Sequence, residues 1–524
     1  MKEWRWPAAA AICVLASGLA SVALRRDVNW DLRNYHYYNA YAFLNGRLGW
    51  DVAPAQLQTY HNPLLDLPFY FLVDADVGPR VIAFAMAATT GIAAFFLLRI
   101  LLVLFPRGKV EDRLLWIALS MAIGVTGAAG LSVLGSTMNE WPPAMLLIAA
   151  TWMLVSSIAR TGTASTCAVL AAGLLTGIAV GLKLTYGVFA VALVVALGSF
   201  GPARERLRGF AAIACFLFAG FLLSYAFWGA ALQREFGNPF FPYFNSIFKS
   251  PYWEPEALFD RRFGPHDVVQ AVAFPLYFAR DSKLVGEVGF RDWRLAVLLV
   301  LASCGLVKHL VLRRRIATAG SPPPRDPVVV AWRFLAVFAL AAYLAWLPLF
   351  AIYRYLVPLE MLSGPLIVGC ALYLVSGRKA RRVAIAVLAI LILGSTGKAS
   401  WGRGEFGDAY FDVAVPDIAP NALVILGPRE PMAYIIPFMR PDARFVSPQN
   451  NFLHLGQSNL LQRRIADIIA RHDGPSYSLD YRNQREVDAV LRHYGLVRDM
   501  ATCQPIRSNL DADAMRLCHV ERLR

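Results

Sequence analysis

About eleven stretches of this chain are each long and apolar enough to form a helix across a bilayer, and they leave little room for another architecture. A hydrocarbon core about 30 Å thick needs roughly 20 apolar residues in a helix. Lipid offers no partner to a free backbone N–H or C=O, so such runs must be helical. They lie near 7–24, 80–105, 114–134, 142–159, 166–182, 184–200, 209–231, 295–312, 328–350, 357–376 and 382–397. Hydrophobic residues make up 57% of the chain and charged residues 17%. Soluble domains carry roughly 45–50% and about 25%. This excludes disorder and a single compact soluble domain. Seven cysteines in 524 residues are too sparse for a disulfide scaffold. The net charge of +15 would suit a nucleic acid. The basic residues, however, cluster in short gaps between apolar runs, where membrane topology alone places them, so no nucleic-acid partner is expected.

Those gaps also orient the chain. With the N-terminus (Lys2, Arg5) inside, the inner loops carry Arg107, Lys109 and Arg113, then Arg160, then Arg204, Arg206 and Arg208. They continue with Arg313, Arg314 and Arg315, then Arg378, Lys379, Arg381 and Arg382. Every short inner loop is basic, as the positive-inside rule requires. An odd number of spans puts 398–524 on the outer side, together with the loops 25–79 and 232–294. The expected architecture is an all-α polytopic membrane domain of about eleven transmembrane helices over 1–397, with a small outer α/β domain over 398–524. The expected location is a bacterial inner membrane, with a cytoplasmic N-terminus and a periplasmic C-terminal domain. A cleaved signal peptide is the other reading of the first run, with "SVA" at 21–23 as the cleavage site. Its length, and the loop parity, favour a span.

The outer segments hold the polar residues that topology does not explain. The first loop opens "RRDVNWDLRNYHYYNAYAFLNGR". At helical spacing Asp31, Tyr35, Tyr38 and Ala42 share a face, and an aromatic-rich helix beside a span suits the interface plane. An aromatic anchor accounts for the tyrosines but not for Asp27 and Asp31 near the membrane surface. A carboxylate there is a candidate general base. "QTYHNPLLDLPFYFL" follows, with His61 and Asn62 just before a helix; an ordinary solvated loop is the plain alternative. The turn after the third run, "GSTMNEWPPAML", places Asn139 and Glu140 at the membrane edge, where Glu140 also reads as a helix cap. Lys183 ends a Gly-rich helix, where it either snorkels or meets an anionic headgroup. Arg354 in "FAIYRYLVPLEML" sits between Tyr353 and Tyr355 on the side where Lys and Arg are disfavoured, and arginine binds phosphate bidentately.

The tail alternates strand-like runs ("NALVILG", "RFVSP") with helix-like ones ("LLQRRIADIIARH", "REVDAVLRHYG"), which reads as a small α/β domain. Cys503 and Cys518 lie in it, and an oxidising compartment would let them pair; two free thiols are the alternative. The other five cysteines sit in apolar runs. No Walker A loop, GxGxxG, HExxH or CxxC occurs, so soluble-nucleotide chemistry has no support.

Taken together, the outer motifs resemble the GT-C superfamily of polytopic glycosyltransferases, which includes protein O-mannosyltransferases and the lipid A aminoarabinose transferase. "DLRNYHYYNAY" is similar to that family's D-x-x-x-Y stretch, with Asp31 in the acidic position. "YHNPLLDLPFY", "GLLTGIAVGLKLTYG" and "YRYLVPLEML" resemble its Pro-Leu segment, its Gly-rich helix with Lys-Thr, and its late R-Y-hydrophobic-P segment. "GNPFFPYFN" is a phrase of uncharacterised bacterial members. The resemblance spans about 5–400. It implies a polyprenyl-phosphate sugar as donor and a lipid, glycan or protein hydroxyl as acceptor, with inversion at the anomeric carbon. Asp31 would be the general base, and Arg354 with Lys183 would meet the donor phosphate. Tyr35, His61, Asn62, Asn139, Glu140, Tyr353 and Tyr355 would orient the substrates. Two departures stand out: Leu32 follows Asp31 where the family often has a second acid, and Glu140 or Asn139 occupies a place that is often Asp. No cofactor is expected, and a divalent metal is not favoured. A polysaccharide polymerase or ligase with a pyrophosphate-linked donor, relying on Arg261, Arg262 and Arg280, is an alternative. A lipid or solute transporter is another, but it should show mid-span charges and repeated halves.

Overall fold

The computed structural model describes residues 5–199, 203–256, 258, 260, 262–317, 326–481, 486–510 and 515–523. Lys2 and Arg261 lie outside the described residues, as do the side chains of Arg204, Arg206, Arg208 and Arg313 to Arg315. All eleven apolar runs are helical. Among the described residues, seven helices are long and apolar enough to cross a membrane: Arg5–Ala23, Pro79–Leu104, Trp141–Thr161, Gly209–Phe236, Arg294–Leu312, Pro327–Leu349 and Tyr353–Leu374. The other four runs give helices that are short or that open on charge: Val110–Val125, Thr166–Leu182, Gly187–Gly198 and Arg378–Ser395. The third run, 114–134, does not continue as one helix. It breaks after Val125 and resumes as the short helix Ala128–Ser132.

Small residues let these helices approach closely, as is common in membrane bundles. The helix Thr166–Leu182 lies against Ala203–Phe236 along Gly173, Gly177 and Gly181. A Cβ added at Gly177 would lie 2.1 Å from the Leu217 carbonyl oxygen, and one at Gly220 would lie 2.2 Å from that of Leu174. The first three glycines of "GLLTGIAVGLKLTYG" are therefore a packing seam.

The bundle has two unlike ends. At one, basic loops grip the acidic first turn of Val110–Val125: Arg378 and Arg382 reach Asp112 at 2.7 and 2.5 Å, and Arg107 pairs with Asp326. At the other end the long loops and the tail meet. The tail forms a seven-stranded mixed sheet in the order Val413–Ala414, Gln504–Ser508, Met515–Arg522, Ser476–Tyr481, Leu423–Leu426, Arg444–Val446, with Leu496–Arg498 also paired to Met515–Arg522. Leu423–Leu426 runs parallel to both its neighbours, and the remaining pairs are antiparallel. Cys503 and Cys518 are joined as a disulfide.

The tail folds onto the first loop. Arg26–Asp27 pairs antiparallel with Arg403–Gly404. The Arg26 guanidinium donates to the carbonyls of Tyr410 and Asn509, both at 2.7 Å. Tyr37 packs on Phe411 at 4.3 Å between ring centroids. These contacts correct the reading of 31–46 as an interfacial anchor. Tyr37, Tyr38 and Tyr41 are buried in protein, and Tyr38 donates to Asp51 at 2.8 Å instead of facing the same way as Asp31.

Candidate functional site

Four segments far apart in sequence deliver charged side chains to one place at the loop-rich end. Asp31 stands at the head of a wide π-type turn, Leu32–His36, that leads into the helix Tyr37–Leu44. Such turns hold one residue more than an α-turn and often mark functional sites. Arg354 lies in the short 3₁₀ turn Tyr353–Leu356 that starts the helix Val357–Leu374. Its Nη1 donates to Asp31 Oδ2 at 3.0 Å. Lys183 caps the end of the Gly-rich helix. It does not snorkel outward: its Nζ donates to Glu140 Oε1 at 2.7 Å and to the Met138 carbonyl at 3.0 Å. Arg354 Nε stands 3.8 Å from the same Glu140 oxygen. The Tyr355 ring lies 5.6 Å from both cations, and Trp401, from the start of the tail, lies 5.4 Å from Arg354.

Local backbone chemistry puts Glu140 there. Asn139 adopts φ of 59°, a left-handed conformation that asparagine tolerates. It turns the chain into the helix Trp141–Thr161, whose first turn contains prolines. Asp27 holds the approach to that turn by accepting from the Thr137 N–H at 2.8 Å and its hydroxyl at 2.9 Å. Tyr186 donates to the Glu140 carbonyl at 2.8 Å.

Burial alone would push the Asp31 carboxyl up, but the cations around it, the Arg354 guanidinium first, outweigh it and hold the group below the ordinary carboxylate range. Asp31 is therefore an anion at any neutral pH. Burial pushes the Tyr35 phenol well up, so it stays a neutral donor. Burial pushes His61 down to about 4 and keeps it neutral.

Sequence reasoning missed a second group beside Asp31. His36 Nδ1 lies 2.6 Å from Asp66 Oδ1, and Asn139 Nδ2 donates to the same oxygen at 2.7 Å. All three side chains are buried. Tyr35 lies against His36 at 4.0 Å and against the edge of His61 at 5.3 Å. His61 Nε2 meets the Tyr243 hydroxyl at 2.9 Å, which brings the 232–294 loop to the site. His36 and Asp66 were hidden in an aromatic run and a Pro-Leu segment. The only available signal was a histidine a few residues from an unexplained acid.

Two of the expected residues have other work. The Asn62 amide donates to the Gly181 and Ser224 carbonyls at 2.9 and 2.8 Å, and its oxygen caps the next turn. It ties the first loop to the helical seam. The Tyr353 ring turns away from Arg354 and packs on Phe290 and Phe278 at 4.6 and 5.4 Å. Arg262 is exposed and paired with Asp260 and Glu287 at 2.6 and 3.1 Å, so it does not join the cluster. A further buried network, also unforeseen, underlies the site. Asp292 accepts from Arg294 Nε at 2.7 Å and from the Ala128 N–H at 2.9 Å. Glu360 accepts from the Ala129 and Gly130 N–H groups at 3.0 and 2.8 Å. Together they fix the helix Ala128–Ser132, whose far end leads to Thr137 and Glu140.

Among the described residues, no group of three or more His, Cys, Asp or Glu is placed to hold a metal ion. The chemistry the cluster offers is that of two carboxylates beside two cations, with a neutral phenol and two imidazoles close by. Three of its buried atoms, Glu140 Oε2, Arg354 Nε and His36 Nε2, have no hydrogen-bond partner.

No family model and no curated protein matches the chain. Among solved structures it is similar to ArnT from Cupriavidus metallidurans bound to undecaprenyl phosphate, at 12% identity over 98% of this chain and 97% of that one, with a TM-score of 0.48. It is also similar to the apo oligosaccharyltransferase of Archaeoglobus fulgidus, at 12% identity over 90% of this chain and 69% of that one, with a TM-score of 0.44.

Proposed function

We propose that this chain is a membrane glycosyltransferase that moves a sugar from a polyprenyl-phosphate donor to an acceptor hydroxyl, with inversion, on the periplasmic face of a bacterial inner membrane. The observation that carries the reading is the Asp31–Arg354 contact at 3.0 Å beside the Lys183–Glu140 contact at 2.7 Å. It unites three of the segments whose motifs resemble the GT-C superfamily, those of Asp31, Lys183 and Arg354. Direct displacement at an anomeric carbon needs a base on the acceptor and positive charge on the departing phosphate. Asp31 is the base. Arg354, with Lys183, takes the phosphate. Glu140, Asn139, His61, Tyr35 and Tyr355 orient the two substrates. Residues 1–397 form the catalytic membrane domain of eleven spans, and 398–524 form the periplasmic domain, whose disulfide suits that compartment.

The pairing also orders the events. A donor phosphate that engages Arg354 draws the guanidinium from Asp31 and raises the basicity of the carboxylate once the donor is loaded. The purified full chain in nanodiscs, offered a panel of polyprenyl-phosphate sugars, tests the reading by native mass spectrometry and thermal shift. One sugar-lipid should bind to wild type and to Asp31→Asn but not to Arg354→Ala. Transfer by Asp31→Asn should fall by roughly 10²–10⁴-fold. Wild-type transfer in that variant would remove Asp31 as base. Binding of none of the panel would move the reading to a pyrophosphate-linked donor.

A further inference from the structure

We infer that His36, oriented by Asp66 and Asn139, is the group on which the acceptor's proton comes to rest. This rests on the transfer reaction proposed above and says where its proton goes.

The argument is geometric. Asp66 Oδ1 lies 2.6 Å from His36 Nδ1 and also takes the Asn139 amide at 2.7 Å. A carboxylate receiving two donors fixes the imidazole with its proton on Nδ1. Nε2 is then a bare lone pair, and it is a buried atom with no hydrogen-bond partner. Asp31 heads the π-type turn that ends on His36, and the Tyr35 ring between them packs on His36 at 4.0 Å and on His61 at 5.3 Å. Asp31 and Tyr35 face it from its own turn, His61 and Asp66 from the segment after it, and Glu140 lies beyond Asn139. Lys183 and Arg354 complete the surroundings and also act on Asp31. Even with Arg354 drawn to the donor phosphate, a carboxylate is a weaker base than an imidazole and passes the proton on.

The step balances. The acceptor oxygen forms its bond to the anomeric carbon as its proton passes to the Asp31 carboxylate. The bond from that carbon to the phosphate oxygen breaks, and its electron pair leaves with the phosphate, whose charge becomes more negative by one. The proton moves from Asp31 to His36 Nε2, giving an imidazolium that Asp66 stabilises. Asp31 is an anion again. His36 later releases the proton to solvent.

The test uses the full chain in nanodiscs, ¹⁵N-labelled at histidine, with His36→Gln to assign the resonance. His36 should show a protonated Nδ1 and a bare Nε2. Asp66→Asn keeps the oxygen that Nδ1 and the Asn139 amide share, but removes the charge that stabilises the imidazolium. It should lower kcat by roughly 10²-fold or more, with KM for the sugar-lipid changed less than about threefold, and should change the pH profile. A wild-type His36 protonated at Nε2 overturns the inference. So does a folded His36→Gln variant with the wild-type rate and pH profile, while the parent reading stands. Should His36→Gln fail to fold, the wild-type spectrum and Asp66→Asn decide. No transfer by wild type from any polyprenyl-phosphate sugar overturns both.

Discussion

Arg354 donates to Asp31 across 323 residues of sequence, at 3.0 Å, with both side chains largely out of solvent. The pair fixes the protonation of the carboxylate, so it should be visible in pH profiles. In wild type Asp31 titrates below the ordinary carboxylate range. It therefore contributes stability above the unfolded carboxyl value, and loses it as pH falls through its lower folded value. Arg354→Gln removes the largest opposing charge and leaves the burial. The Asp31 carboxyl should rise toward or past its unfolded value, and the stability lost on acidification should shrink. Thermal melts of the two proteins from neutral pH to about pH 3 check this; coincident acid limbs would refute it.

The glycine seam gives a second expectation. A methyl group at Gly177 or Gly220 meets a backbone carbonyl that cannot rotate away. Gly177→Ala and Gly220→Ala should each cost about 1–3 kcal/mol and lower the melting temperature in detergent. Gly187, with nothing near its added Cβ, is the control. Equal melting of all three proteins would contradict the packing.

Asp27 is buried and accepts from Asn29 and Thr137. Asp27→Ala strands those donors at about 1–3 kcal/mol each. It also frees the turn that carries Glu140. Loss of melting temperature should therefore come with weaker sugar-lipid binding, although Asp27 touches no substrate. A variant that melts lower yet binds donor at wild-type affinity would separate this turn from the site.

Cys503 and Cys518 close a loop of 15 residues, which in the chain-entropy account is worth about 3 kcal/mol. Reductant, or Cys503→Ser with Cys518→Ser, should lower the unfolding temperature of the tail while leaving helical content unchanged by circular dichroism. An unchanged melt in reductant would count against the bond.

Much of this site was legible because membrane topology makes some residues improbable. Arg354 on the side where arginine is disfavoured, Asp31 at a membrane surface and Lys183 at a helix end all stood out against that background. His36 did not, because helical spacing gives no warning of a π-type turn, and the turn changes which residues share a face with Asp31. Asn62 and Tyr353 looked the same in sequence as residues that reach the cluster, and only packing shows that one braces a helix seam and the other an aromatic wall. Asp292, Arg294 and Glu360 were invisible for a related reason. Each lies in or beside an apolar run, and their value appears only when the network around Ala128–Ser132 is closed.

The pairing of Arg26–Asp27 with Arg403–Gly404 has a bearing on biogenesis. Asp31 is synthesised almost first, but the strand that buttresses the loop beneath it, and Trp401 over Arg354, emerge from the ribosome only after every span. A nascent chain already threaded into the bilayer lacks the clasp that sets its carboxylate against its arginine. Assembly of this pair is thus deferred until the tail begins to emerge, and a product truncated before Trp401 would populate the membrane without the clasp.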